Sequence, residues 1–222
     1  MSEIFKPAGP NSDESYSYTN FRVKRMAYFL SILESLPKPV TILDVGGEEE
    51  FWKDSGLLNN PDFQFTMLNL FEKQVSASNN TYVAGDGTSM PQYQDKSFDI
   101  VFSNSVIEHV FTWDNQQKMA NEIRRIGRNY FVQTPNLYFP MEPHFRFFFW
   151  QFLPRELRVR ILQKRRIGYL GPCPNRKDSE IQVDEFRLLS LKEMKTLFPE
   201  ARFEIEKFKG LSKSIMAIYG FK

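Results

Sequence analysis

The chain has 222 residues, with 29 Lys and Arg against 27 Asp and Glu and a formal net charge of +2. That length fits one α/β domain whose core needs no staples, and the near balance of charge gives no global reason to expect nucleic acid as a partner. The single cysteine, Cys173, excludes an internal disulfide; with a polar start to the chain and no run long and apolar enough for a membrane span, the expectation is a cytoplasmic protein.

Residues 1–18 are polar and punctuated by Pro7, Gly9, Pro10 and Asn11, which predicts an N-terminal arm with Tyr16 and Tyr18 as anchors. From 19 to 35, Phe21, Met26, Phe29, Leu30 and Leu33 recur at helical spacing, and Pro37 and Pro39 end the pattern. Val40-Thr41-Ile42-Leu43-Asp44-Val45 then reads as a buried parallel strand, and Gly46-Gly47 as the turn leaving it. A turn of this kind is where a doubly wound sheet binds a nucleotide-like cofactor. Glycine there admits unusual backbone angles and lets the chain approach a ligand closely.

Residues 48–58 predict a helix opened by Glu48, Glu49 and Glu50, the favourable sign at an N-terminus. Strands follow at 63–70, 82–84 and 97–104, then a helix at 115–126 stopped by Gly127 and a fifth strand at 130–134 stopped by Pro135. Residues 136–187 lapse into proline, aromatic and basic content, too long for a plain crossover, and predict a functional insertion that forms a lid. Ser190 caps a further helix, and strands at 202–208 and 212–219 close the chain as an antiparallel hairpin around Gly210. The expected fold is a single α/β domain over 1–222: a Rossmann-like doubly wound sheet of about seven strands, mostly parallel, with helices on both faces.

The order of these landmarks resembles the class I S-adenosylmethionine-dependent methyltransferases over 38–136 and again over 188–220. The most specific string is Ser97-Phe98-Asp99-Ile100-Val101-Phe102-Ser103-Asn104-Ser105-Val106-Ile107-Glu108-His109-Val110. Gln133-Thr134-Pro135-Asn136 and Phe139-Pro140-Met141-Glu142-Pro143-His144 are similar to a bacterial subgroup that modifies small molecules or surface sugars. The resemblance implies S-adenosyl-L-methionine as cofactor. It assigns Asp44, Gly46 and Gly47 to the amino-acid end, Asn69 to the ribose and Asp86 to the adenine, with Leu70, Gly87 and Asn104 as further cofactor-binding residues. Two departures stand out: Glu48 and Glu50 occupy positions where the family has further glycines, and Asn69 replaces a carboxylate.

The cofactor offers an electrophilic methyl, so positioning of the acceptor dominates the chemistry and a base assists only a weakly acidic hydroxyl. The only two histidines, His109 and His144, fall on segments expected to face the acceptor and are the catalytic candidates. Each has a packing role as its alternative, and Glu108 is the nearby acid. No paired ligand spacing supports a metal, so none is expected. Asp99 reads as a residue that fixes backbone, and Trp113 as either adenine lining or aromatic packing.

In the insertion, Phe145, Phe147, Phe148, Phe149, Trp150 and Phe152 precede Arg155, Arg158, Arg160, Lys164, Arg165 and Arg166. Segment 145–166 is therefore either a lid with its aromatics packed inward, or a surface for a membrane interface or lipid-linked acceptor. Aromatics in one block rather than interleaved with the bases make a poor nucleic-acid platform. The expected function is methyl transfer to a small-molecule acceptor, an oxygen of a sugar or secondary metabolite, with a non-catalytic cofactor- or partner-binding protein as the alternative. A nicotinamide enzyme ranks third because Gly-x-Gly-x-x-Gly is absent after the first strand.

Overall fold

The computed structural model describes residues 14–71 and 79–221. Helix α1 (Glu14–Leu33) begins earlier than its apolar spacing predicts, so residues 14–18 are helical rather than part of an arm. The reason is local: Pro7, Gly9, Pro10 and Asn11 all precede Glu14, and nothing between Glu14 and Tyr18 breaks a helix. The rest of the expected arm, and the side chains of Tyr16 and Tyr18, lie outside the described residues.

Strand β1 (Val40–Val45) leads through Gly46 and Gly47 into the short helix α2 (Glu49–Trp52), which tightens into a 3-10 turn and ends at Gly56 with φ 74°. Strands β2 (Phe63–Asn69), β3 (Asn80–Ala84) and β4 (Phe98–Asn104) follow. Helix α3 (Trp113–Ile126), capped by the Thr112 side chain, then leads directly into β5 (Gly127–Pro135). After the insertion, α6 (Leu191–Leu197) begins with a reciprocal capping box between Ser190 and Glu193. Strands β8 (Arg202–Phe208) and β9 (Leu211–Tyr219) complete a seven-stranded sheet of order β3-β2-β1-β4-β5-β9-β8. The pairs among β1 to β5 are parallel, and β9 runs antiparallel to both β5 and β8.

The chain steps outward from β1 to β3, then returns to place β4 on the other side of β1. That reversal opens a crevice at the carboxyl ends of β1 and β4, the position where open α/β sheets bind ligands. Side-chain alternation divides the core. Ile42, Phe65, Ile100, Phe102 and Phe131 meet Phe29 and Leu33 of α1 and Trp52 of α2 on one face. Leu43, Val101, Val132 and Ile215 meet Met119 and Ile123 of α3 and Met194 of α6 on the other. Phe102 stacks on Phe131 at 5.5 Å and lies 4.8 Å from Trp52. Each such buried aromatic contributes roughly 1.5–3 kcal/mol. Asp99 accepts from both the Thr41 amide and hydroxyl, at 2.9 and 2.8 Å, and so fixes β4 against β1 as its place in the strand suggests.

The insertion is built from a two-residue pairing of β6 (Met141–Glu142) with β7 (Phe147–Phe148), then α4 (Arg155–Lys164) and α5 (Arg176–Asp184). It has a core of its own, in which Phe145, Trp150, Val159, Leu162 and Val183 are buried. The aromatic block therefore splits. Phe145 and Trp150 point into this core, whereas Phe147, Phe148, Phe149 and Phe152 are exposed.

Candidate functional site

Asp44, Gly46, Gly47, Asn69, Leu70, Asp86, Gly87 and Asn104 are brought together because each sits at or just beyond the carboxyl end of a parallel strand. Gly46 has φ 79°, and a side chain there would run into Val106 of the loop after β4. Gly47 covers the Asp44 carboxylate closely enough that a Cβ would clash with it. Asp44 therefore lies beneath the turn. It is 3% exposed and accepts from the Trp52 indole at 2.6 Å. Burial, opposed by that indole and reinforced by the nearby charge of Glu48, pushes its carboxyl up from 3.8 to about 7.

Glu48, one of the departures from the glycine pattern, turns back over the strand ends. Its carboxylate accepts from the Asn69 amide at 3.2 Å and the Tyr82 hydroxyl at 3.4 Å. Asn69 also donates to the Gly47 carbonyl at 3.3 Å, and its own oxygen receives the Leu70 amide at 2.9 Å. A neutral amide at position 69 suits a neighbouring glutamate, where a carboxylate would repel it. Asp86 is exposed and accepts from the Thr88 amide at 2.8 Å, and Gly87 is pressed against Val45, where a Cβ would come within 2.8 Å of a methyl. Leu70 is 68% exposed and Phe71 is 70% exposed, which leaves apolar surface open at the end of β2 near Asp86.

A residue missed by the sequence reading organises the other side of the crevice. Arg25 of α1 donates to Asn104 Oδ1 at 2.5 Å, to Gln133 Oε1 at 2.9 Å and to both carboxylate oxygens of Glu206 at 2.9 and 2.6 Å. The Arg25 and Glu206 side chains are only 11% and 9% exposed. Ser105 also donates to Gln133, and Ser214 donates to Glu206. A cation set among the apolar positions of α1 was the available signal, but its partners come from three strands distant in sequence.

Both histidines converge beyond the ends of β4 and β5, with ring centroids 5.0 Å apart and edge to face. His144 Nδ1 lies 2.7 Å from Glu142 Oε1, and Phe186 stacks on its ring at 3.9 Å. His109 packs edge-on against the same phenyl ring at 4.9 Å. Burial, aided by the charge His144 would carry, drives His109 down to about 3, so its imidazole is neutral at physiological pH. Glu108 is fully buried and accepts from the Thr134 hydroxyl at 2.9 Å, and burial raises its pKa. Val106, which meets Gly46, links this cluster to the glycine turn through the same short loop. Trp113 packs on the α3 side of the core with the Arg187 guanidinium 5.1 Å from its ring centroid.

Glu108, His109 and His144 each offer a donor atom, all within 4.8 Å of one another, a grouping that linear spacing does not reveal. A tetrahedral ion with bonds of about 2.0–2.1 Å holds its ligands roughly 3.3 Å apart, so one ion would require the cluster to contract. It would also require the ionised form of Glu108, which burial disfavours.

Residues 51–129 match the family described as "Methyltransferase domain". The uncharacterized protein Rv1509 of Mycobacterium tuberculosis is 35% identical over 77 residues, which cover 35% of this chain and 26% of that protein. The match thus spans about a quarter of its curated relative. A candidate methyltransferase from an antibiotic biosynthesis pathway of Anabaena variabilis superposes with a TM-score of 0.52 at 18% identity, over 84% of this chain and 64% of that one. A candidate Zn-dependent alcohol dehydrogenase from Rhodobacter sphaeroides gives 0.53 at 12% identity, over 84% of this chain and 85% of that one. At such identities the likeness is one of fold, and chemistry must be argued from the site. Residues 51–129 thus resemble a methyltransferase domain, in a chain whose seven-stranded sheet has a Rossmann-like fold.

Proposed function

We propose that the chain uses S-adenosyl-L-methionine to methylate a small-molecule acceptor, at an oxygen of a sugar or secondary metabolite. The observation that carries this reading is the meeting of the glycine turn with the two-histidine cluster across Val106 at the sheet's switch point. When bound, the cofactor supplies an electrophilic methyl on a sulfonium. The residues present fit it: Gly46 and Gly47 keep the turn low, exposed Leu70 and Phe71 match the flat face of an adenine, and the Asp86 carboxylate can accept from its amino group. Asp44 supports the turn from below, and Asn69 has an amide oxygen and nitrogen for ribose hydroxyls at the cost of its contacts to the loop.

His144 is the general base in this reading. Glu142 holds one ring nitrogen, leaving the other to take a proton from an acceptor hydroxyl. His109, held neutral beside it, limits electrostatic repulsion when His144 is protonated. Calorimetry with S-adenosylmethionine, S-adenosylhomocysteine and NAD tests the assignment. Either methionine-derived ligand should bind, and Asp86→Ala should weaken it about tenfold, the loss of one charged hydrogen bond. Tight NAD binding without either methionine-derived ligand would reject it. A methyl-transfer screen against fractionated metabolites then separates an enzyme from a binding module.

A second reading concerns the partner of segment 145–166. Phe147, Phe148, Phe149 and Phe152 are exposed beside a helix carrying Arg160 and Lys164 and followed by Arg165 and Arg166, also exposed. Apolar side chains next to positive charge favour contact with an anionic membrane surface or a lipid-linked acceptor. No helix among the described residues is long and apolar enough to cross a membrane.

A further inference from the structure

The two departures from the expected pattern, Glu48 and Asn69, are in contact with each other. Asn69 lies between the two ends of the crevice. The Gly46 amide donates to the carbonyl of Leu68 at 2.7 Å, and the Gly85 amide, one residue before Asp86, donates to the carbonyl of Asn69 at 2.9 Å. A cofactor with its amino-acid end on Gly46 and Gly47 and its adenine by Asp86 must set its ribose here, because the ribose joins the two. Both ribose hydroxyls can donate, and in dinucleotide-binding doubly wound sheets an acid receives the ribose hydroxyl. Asn69 is poorly placed to do so. Its amide nitrogen is turned to the Gly47 carbonyl at 3.3 Å and to Glu48 at 3.2 Å, and its oxygen receives the Leu70 amide at 2.9 Å.

The acids around it divide by position. Asp44 is buried beneath the turn and bonded to the Trp52 indole, Asp86 stands at the adenine end, and Glu50 is exposed and paired with Lys53. Glu48 is partly exposed and reaches from the turn to the end of β2, where Asn69 holds one carboxylate oxygen and the Tyr82 hydroxyl lies 3.4 Å from the other. Tyr82 is itself fixed, because its hydroxyl receives the Glu49 amide at 3.1 Å. The carboxylate is thus oriented from two strands, and a group with about four lone-pair sites can be held in this way and still receive hydroxyls. We infer that Glu48 is the ribose-binding residue of this chain, its carboxylate taking the 2′- and 3′-hydroxyls of the cofactor while Asn69 positions it and keeps its own loop contacts. The acid missing from the strand end is supplied from the turn, so the two departures compensate each other. This rests on the methyltransferase reading and deepens it.

Calorimetry on the full chain compares S-adenosylhomocysteine with its 2′,3′-dideoxy form. Wild-type protein should bind the dideoxy form about tenfold more weakly or worse, a readout that does not depend on any variant folding. Glu48→Gln should weaken S-adenosylhomocysteine about tenfold and leave the affinity for the dideoxy form within about twofold. Adding Asn69→Asp to Glu48→Gln exchanges the two members of the pair, and should bring S-adenosylhomocysteine binding back to within about threefold of wild type. The inference is overturned if wild-type protein binds both ligands alike, if Glu48→Gln binds S-adenosylhomocysteine as tightly as wild type or more so, or if it loses equal affinity for both. A folded exchanged pair without recovery overturns it too, and the Glu48 carboxylate then serves only to close the loop. Wild-type affinity for S-adenosylhomocysteine separates the two levels. If it is present while Glu48→Gln has no effect, only the ribose inference falls; if wild-type protein does not bind the ligand at all, the methyltransferase reading falls with it.

Discussion

His144 meets Glu142 at 2.7 Å, and the second oxygen of that carboxylate is fixed by the Phe145 amide at 2.6 Å. The acid is thus oriented by the backbone as well as by the imidazole, the arrangement that holds a base in one orientation and tautomer.

His144→Ala should lower turnover about 100-fold while leaving S-adenosylhomocysteine affinity within about twofold, the size expected for loss of a general base. Glu142→Gln keeps the shape of the side chain and removes its charge, and should cost roughly tenfold. Steady-state kinetics with the true acceptor, alongside calorimetry, checks both. Unchanged turnover in the alanine variant would return His144 to a packing role.

Asp44 makes stability depend on pH in a defined direction. Its carboxyl titrates near 7 when folded and near 3.8 when unfolded, so between those values the folded protein holds the extra proton and stability falls as pH rises. Asp44→Asn retains an acceptor for the Trp52 indole without an ionisation to suppress. Its thermal midpoint should exceed that of the wild type by a margin that widens from about pH 5 to about pH 7 and is constant above. A margin independent of pH would mean that Asp44 is ionised in the folded protein.

Arg25 and Glu206 form a mostly buried pair, and removing Arg25 leaves the Glu206 carboxylate without its ion-pair partner. Arg25→Met should destabilise the protein by about 3–5 kcal/mol, with Arg25→Met and Glu206→Leu together recovering more than half of that loss. Urea unfolding of the single and double variants measures both. If the double variant is no more stable than Arg25→Met, the cost lies in the lost contacts to Asn104 and Gln133 instead of the unpaired acid.

The exposed phenylalanines give the membrane reading its test. Wild-type protein should float with vesicles containing anionic lipid and remain behind with neutral ones, and Phe148→Ser with Phe149→Ser should reduce flotation at least fivefold, each lost aromatic contributing roughly 1 kcal/mol or more. Absence of flotation with anionic vesicles removes the interfacial proposal without touching the methyl-transfer reading.

The parallel strands were legible because each is a short β-rich run punctuated by Gly, Pro or Asn, and their carboxyl ends carried the cofactor candidates with them. Val45 with Gly46 and Gly47, and the string ending at Val110, needed only local pattern. Residues 14–18 were misread because an absence of breakers is a weaker signal than an apolar stripe. The fate of the aromatic block was not legible at all: Phe145 and Trp150 are buried and Phe147 to Phe149 are exposed, although their chemistry is nearly the same.

The sequence by itself determined the alternation of strands and helices, the glycine turn and the supply of titratable side chains, since these depend on backbone preference and on spacing along one element. Only the tertiary structure decided that Glu142 holds His144, that Glu48 is received by Asn69 and Tyr82, and that Arg25 reaches Asn104. Those relations join segments separated by crossovers, and hydrogen bonding, burial and the pKa shifts that follow depend on distance in space, which no local pattern encodes.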